Sequence, residues 1–142
     1  MPLLNCETAR AIADEAHRAF SAGDVEAVLE TYTDDFYFKR NAEDFIGAPL
    51  IIEGKDAMRS FLKNIMQKAE CMSFIDSFTF HSGIGRARAL YYLKDRQIGT
   101  SYTANLRQII TFRNMQIATM DVYHDRARLN AFFRLIERQT SP

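Results

Sequence analysis

Hydrophobic residues in the first half of the chain recur every three or four positions, which is the period of an amphipathic helix. This spacing predicts a first helix over about residues 7–21, a short second helix, and a third helix over about residues 55–69. Gly23 ends the first helix because glycine readily adopts the left-handed conformation, and Asp24 then caps the second. The inward positions predicted for the second helix are Val25, Val28, Leu29 and Tyr32.

The hydrophobic period changes to two at Cys71, which is typical of β-strands. Met72, Phe74, Phe78 and Phe80 alternate with more polar neighbours, and short turns separate the strands that follow as far as His124. This pattern predicts an antiparallel meander, closed by a helix over residues 128–138. Before the third helix, Phe36–Arg40 is predicted to be extended, residues 41–53 a loop, and Leu50–Ile52 a brief strand within it.

Three helices, a curved antiparallel sheet and a closing helix define an α+β fold, in which the helices pack on one face of the sheet. A strongly bent sheet that folds over helices forms a cone with an apolar interior. No linker rich in proline or glycine divides the chain, so residues 1–142 are expected to form a single domain.

The balance of basic and acidic residues disfavours a nucleic-acid-binding function. The chain has 18 basic and 18 acidic residues, whereas a nucleic-acid-binding protein is usually basic. Residues 1–60 contain 12 acidic and 6 basic residues, and residues 61–142 contain the reverse, which suggests complementarity within the chain or between two copies. The cysteines and histidines show no metal-ligand spacing, so we expect no metal and no other cofactor.

The chain shows no signal-peptide pattern, and no apolar run approaches the ~18 residues of a membrane span. We therefore expect a cytoplasmic protein with reduced thiols and no membrane partner.

Three segments carry a family resemblance: Ala22–Leu29 with Tyr32–Phe36, Ile52–Ala57 at the start of the third helix, and Ile117–Asp125 in the last strand. They resemble the NTF2-like superfamily, which includes ketosteroid isomerases, scytalone dehydratases and SnoaL-type polyketide cyclases. Their order and spacing cover nearly the whole chain. The resemblance implies a cystatin-like cone fold with a small-molecule pocket, and a homodimer formed through the outer face of the sheet. The residues expected on that face are Arg86, Arg88, Tyr92, Arg107 and Tyr123.

The residues that carry out ketosteroid isomerisation are not kept. The general-base aspartate of that family falls on Arg40, its oxyanion tyrosine on Ala16, and its protonated aspartate on Gln108. A guanidinium has no lone pair available to accept a proton near neutral pH. The usual Tyr/Asp/Asp mechanism is therefore disfavoured, although the family's second-helix tyrosine is matched by Tyr32.

Strand alternation predicts which side chains face the cavity. The resemblance assigns the face of the last strand that carries Ala118 and His124 to the interior, while Ala87 and Ala89 on a neighbouring strand leave room. The expected ligand-binding residues are Phe20, Tyr91, Leu106, Gln108, Ile110, Met120 and Val122.

His124 is the leading acid–base candidate because an unperturbed imidazole has a pKa of about 6.5. Burial and the charge of Arg40 are both expected to lower that pKa. Tyr32 or Arg40 could stabilise an enolate oxygen. A tyrosine at position 32 is more often a core residue, and Arg40 could equally pair on the surface with Glu43 or Asp44 of the next loop. Asp121 would replace His124 if the strand register slipped by one residue, because a slip exchanges the two faces.

Two functions fit these expectations. The first is a cofactor-independent isomerase, cyclase or dehydratase that acts on an apolar ring compound by acid–base chemistry. The second is a non-catalytic module that binds a ligand in the cone or docks another protein. A cavity plugged by Phe20, Phe61 and Phe112 would favour the second. The expected partners are a small apolar or aromatic ligand and a second copy of the chain.

Overall fold

The computed structural model describes residues 4–43 and 49–140. Helices and strands follow one another in the predicted order. Their bounds are α1 Cys6–Ser21, α2 Val25–Glu30, β1 Tyr32–Glu43, β2 Pro49–Glu53, α3 Lys55–Lys68, β3 Ala69–His81, β4 Ile84–Asp95, β5 Ser101–Arg113, β6 Gln116–Tyr123 and α4 Arg126–Thr140. The loop predicted over residues 41–53 is shorter in the structure, because β1 extends to Glu43 and β2 begins at Pro49. Residues 44–48, at the centre of this loop, lie outside the described residues.

The six strands form one curved, open sheet in the order β2-β1-β6-β5-β4-β3. Strands β3 to β6 pair as the predicted antiparallel meander. The pair β1–β6 is parallel, which the sequence pattern did not indicate. The α+β, cystatin-like fold class is confirmed, and α1 and α3 pack against the sheet.

Local capping chemistry sets the helix ends. The Asn5 side chain accepts a hydrogen bond from the Thr8 backbone N–H at 2.8 Å, and Asp24 accepts one from Ala27 at 3.0 Å. Gly23 has a φ of 70°, as its place after α1 requires.

The prediction that Tyr32 lies on the second helix is wrong. That helix ends at Glu30, and Tyr32 is the first residue of β1.

Bulges decide which residues face inward on two strands. On β3, Ser73 and Ile75 are buried, whereas Met72 and Phe74 are 53% and 51% exposed on the outer face. A bulge between Ile75 and Ser77 then shifts the register of this strand. A second irregularity, between β5 and β6, buries Ile117 completely and leaves its neighbour Ala118 half-buried, contrary to the predicted face.

Candidate functional site

A cavity lies between the helices and the concave face of the sheet. Its volume is about 80 Å³, and it is partly open to solvent. Ligand pockets for drug-sized molecules are about 300–1,000 Å³, so the enclosed space suits a small compound or one end of a larger one. The lining residues are Ala16, His17, Phe20, Val28, Tyr32, Phe38, Arg40, Met58, Phe61, Leu62, Ser73, Tyr91, Leu106, Gln108, Met120, Val122 and His124. No carboxylate belongs to this described lining.

The cavity brings together most of the residues that the sequence singled out. These are Phe20, Tyr32, Arg40, Tyr91, Leu106, Gln108, Met120, Val122 and His124. Two others do not line it. Ile110 is completely buried in the core, and Asp121 lies between Lys39 and Ile109 on the opposite face of the sheet. Asp121 could face the cavity only if the strand register slipped by one residue. No such slip occurs, because its neighbours Met120 and Val122 are the residues buried on the inner face.

His124 follows the last residue of β6, and β1 fixes its backbone. The Asn41 side chain donates to the His124 carbonyl at 3.0 Å and accepts from the His124 backbone N–H at 2.8 Å. The imidazole meets the Tyr91 ring edge to face, with centroids 5.2 Å apart. Its Nδ1 is buried and has no hydrogen-bond partner among the described residues. Asn41, which sequence reasoning missed, therefore positions this ring beside the cavity.

Burial, aided by the positive charge of Arg40, lowers the pKa of His124 to about 3. Titratable groups that lie beside this ring are Arg40 on β1, Tyr91 on β4 and Tyr102 on β5. None of these three is a carboxylate that would hold the imidazole in its charged form. His124 is therefore neutral at pH 7 and carries a lone pair that can accept a proton.

Arg40 is buried although it is a permanent cation. Its guanidinium carbon lies 5.8 Å from the centroid of the Phe61 ring and 5.3 Å from that of Phe133. Burial lowers the pKa of Arg40, while the Tyr91 and Tyr102 hydroxyls oppose this effect. The expected partners Glu43 and Asp44 lie outside the described side chains.

Two tyrosines supply hydroxyl groups to the lining. Tyr32 stacks on Phe36 with ring centroids 3.8 Å apart, and Tyr91 stacks on Phe20 at 5.7 Å. Burial raises the pKa of both tyrosines well above the usual value. Both hydroxyls are therefore protonated at neutral pH and can donate a hydrogen bond.

A buried polar network on the other side of the cavity was not predicted. The Gln108 Oε1 atom accepts a hydrogen bond from His17 Nε2 at 2.8 Å. Because Nε2 carries the proton of the neutral ring, Nδ1 is the acceptor. It accepts a hydrogen bond from the Ser73 hydroxyl, with Nδ1 and Oγ 2.6 Å apart. Burial lowers the pKa of His17, which favours this neutral form.

Small residues on β4 make this network possible. Ser73 lies on β3 and Gln108 on β5, and β4 runs between them with Ala87 and Ala89 facing inward. The space above these two alanines lets the His17 ring reach from one flanking strand to the other. In the sequence, the two alanines indicated that space is left on the inner face of β4. The periodicity of α1 did not show that His17 would occupy this space.

The described residues contain no group of three or more histidines, cysteines or acidic residues that could hold a metal ion. Within the same residues, no helix is long and apolar enough to cross a membrane. The remaining chemistry of the cavity comes from imidazole, guanidinium, hydroxyl and amide groups.

Solved structures of low sequence identity share the fold. A candidate isomerase from Bacillus subtilis aligns with a TM-score of 0.80 at 16% identity, covering 92% of this chain and 96% of that one. PrhC from Penicillium brasilianum aligns at 0.78 and 20% identity, covering 94% and 91%. A protein with a ketosteroid isomerase-like fold from Catenulispora acidiphila, in complex with trimethylamine, aligns at 0.73 and 14% identity, covering 84% and 89%.

Comparison with curated protein sequences finds no match. The sequence pattern that defines the SnoaL-like domain matches residues 13–120, which include the second half of α1, all of α2 and α3, and most of the sheet. The chain therefore belongs to the SnoaL-like domain family.

Proposed function

We propose that the protein is a cofactor-independent enzyme that isomerises, cyclises or dehydrates a small ring compound by acid–base chemistry. The observation that carries this proposal is the neutral imidazole of His124, whose buried Nδ1 has no hydrogen-bond partner in the described part of the chain. His124 accepts or returns the proton in this scheme. Arg40 and the Tyr32 hydroxyl stabilise the oxyanion that develops when a proton leaves the carbon next to a carbonyl.

The walls of the cavity support an apolar substrate. Phe20, Phe61 and Tyr91 contribute rings to the lining, and half of the other lining residues are aliphatic. Of the three phenylalanines expected to plug a non-catalytic cavity, Phe112 does not line it and packs against Phe80 instead. Phe20 and Phe61 line the cavity without closing it, and a volume of about 80 Å³ remains.

A binding module is the second candidate, because a pKa of about 3 makes His124 a weak base in the ligand-free protein. General bases work best when their pKa lies near the operating pH. A module that only binds its ligand does not need this match. The two candidates differ in whether the protein moves protons on a bound compound.

Proton exchange tests the enzyme without knowledge of the substrate. Small cyclic ketones are incubated with the protein in D2O, and ¹H NMR follows deuterium incorporation next to the carbonyl. We expect the protein to accelerate exchange for some of these probes and His124→Gln to reduce that rate by about 10²–10⁴-fold.

His81→Gln is the matched control, because His81 is exposed at the end of β3. This variant should retain the wild-type rate. If cyclic ketones bind in the cavity and no probe exchanges faster than in buffer, the enzyme proposal is wrong and the binding module remains.

The outer face of the sheet supports a homodimer. Met72, Phe74 and Tyr123 are 53%, 51% and 47% exposed on this face. Phe74 is paired with Leu90, and Met72 with Tyr92, so these apolar side chains form a contiguous patch. A two-fold dimer would cover the patch with its own copy.

Light scattering at micromolar concentration should therefore give the mass of a dimer. Phe74→Asp should give a monomer, and Leu135→Asp, which changes a similarly exposed residue on α4, should not. A monomeric wild-type protein would contradict the dimer.

A further inference from the structure

Arg40 carries a charge that the described side chains do not balance. Only 7% of the residue is exposed, and its Nε atom is buried without a hydrogen-bond acceptor. Each salt bridge found among the described side chains involves other residues. Burying a cation without a partner is costly, so the position of Arg40 requires a physical reason.

Two aromatic rings offset part of this cost. Phe61 from α3 and Phe133 from α4 lie within cation–π distance of the guanidinium. Rings can hold the cation in place, but they leave its in-plane N–H groups free to donate. An arginine that is held over rings and lines a cavity is preorganised for a planar, two-oxygen acceptor.

The surroundings of Arg40 disfavour any positively charged ligand. The described lining of the cavity contains no aspartate or glutamate, and its ionisable neighbours are the neutral His124 and the protonated Tyr91. The tyrosine hydroxyls, which are protonated, can serve as further donors. The electrostatic character of the cavity is therefore that of a site for one negative charge.

We propose that the cavity binds an organic carboxylate whose two oxygens pair with the Arg40 guanidinium and whose apolar body lies against the aromatic walls. This inference rests on the proposed function of the cavity as a ligand site and names the class of its ligand. The volume of about 80 Å³ encloses only a small part of a larger molecule, which would extend through the open side.

Binding of small carboxylates and of their neutral amides tests the proposal. The probes are isobutyrate with isobutyramide and benzoate with benzamide, titrated into ¹⁵N-labelled protein while the cavity resonances are followed. We expect each carboxylate to bind about 10–100-fold more tightly than its amide, since hydrogen bonds to a charged group are the strong ones. Arg40→Met should remove this preference.

Lys39→Met is the matched control, because Lys39 neighbours Arg40 on β1 and is exposed. It removes the same charge and should leave the preference intact. Glu43→Gln and Asp44→Asn examine whether one of these two carboxylates already pairs with Arg40. If either variant creates carboxylate binding that the wild type lacks, Arg40 pairs internally and the proposal is overturned.

Two other outcomes would overturn the proposal, and they bear differently on the proposed function. Equal affinity for carboxylate and amide would refute the ligand class while leaving the cavity as a binding site. Failure of every probe to shift the cavity resonances at millimolar concentration would contradict both.

Discussion

Arg40→Met should stabilise the folded protein while removing its preference for anions. The guanidinium is buried, and no described side chain forms a salt bridge with it. Methionine has a flexible side chain that can keep contact with the Phe61 and Phe133 rings. The variant therefore loses a buried charge and retains much of the packing.

The magnitude follows from opposing contributions. Burying an ion costs several kcal/mol in proteins, and each cation–π contact with a desolvated cation returns about 2 kcal/mol. We expect the free energy of unfolding to rise by about 1–3 kcal/mol, which lies within the gain of about 1–4 kcal/mol found when buried ion pairs are replaced by apolar residues. At about 2–4 °C per kcal/mol, Tm should rise by about 2–12 °C.

Urea unfolding at pH 7 and 25 °C, followed by circular dichroism, measures this change. Lys39→Met serves as the control, because an exposed substitution should change the free energy of unfolding by less than about 0.5 kcal/mol. A loss of more than about 1 kcal/mol in Arg40→Met would refute the reasoning, since it would show that Arg40 has a counter-charge in the folded protein.

Three further predictions concern the buried groups around the cavity. Gln108→Leu should lower the free energy of unfolding by about 1–3 kcal/mol, because His17 Nε2 loses its acceptor, and unchanged urea unfolding would contradict the network. The pKa of His124 is lower in the folded than in the unfolded state, so its contribution to stability is complete above pH ~6.5 and decreases as the pH falls towards 3. Wild type should therefore lose about 2 kcal/mol more than His124→Phe between pH 6.5 and 5 in urea titrations, and parallel curves would disagree with a buried neutral imidazole. Gly85→Ala should cost about 1–3 kcal/mol in the same assay, because the new Cβ would lie 2.9 Å from the Phe78 ring, and a neutral effect would show that the ring has room to move.

The sequence predicted the order of elements because each depends on local chemistry. Asn5 and Asp24 cap helices through contacts three residues away, and the change of period at Cys71 marks the sheet. The parallel pairing of β1 with β6 joins residues about 80 positions apart, and no local pattern encodes it. The end of α2 was missed for a smaller reason, since Thr31 ends this helix one residue before Tyr32.

Strand alternation predicted most of the lining that the sheet contributes, including His124 and Gln108. It could not predict bulges, which exchange the two faces and place Ile117 rather than Ala118 inside. It also could not supply the residues that α1 and α3 bring to the cavity, such as His17 and Phe61. Those contacts depend on how the helices sit on the sheet, which packing decides.

The most direct test of the proposed chemistry is an NMR titration of the His124 imidazole. In the free protein, the ring should remain neutral down to pH 5, since its pKa lies at about 3. In Arg40→Met, and in wild type saturated with benzoate, that pKa should rise because the neighbouring positive charge is removed or balanced. A His124 that titrates near its usual value of about 6.5 and responds to neither change would contradict the account.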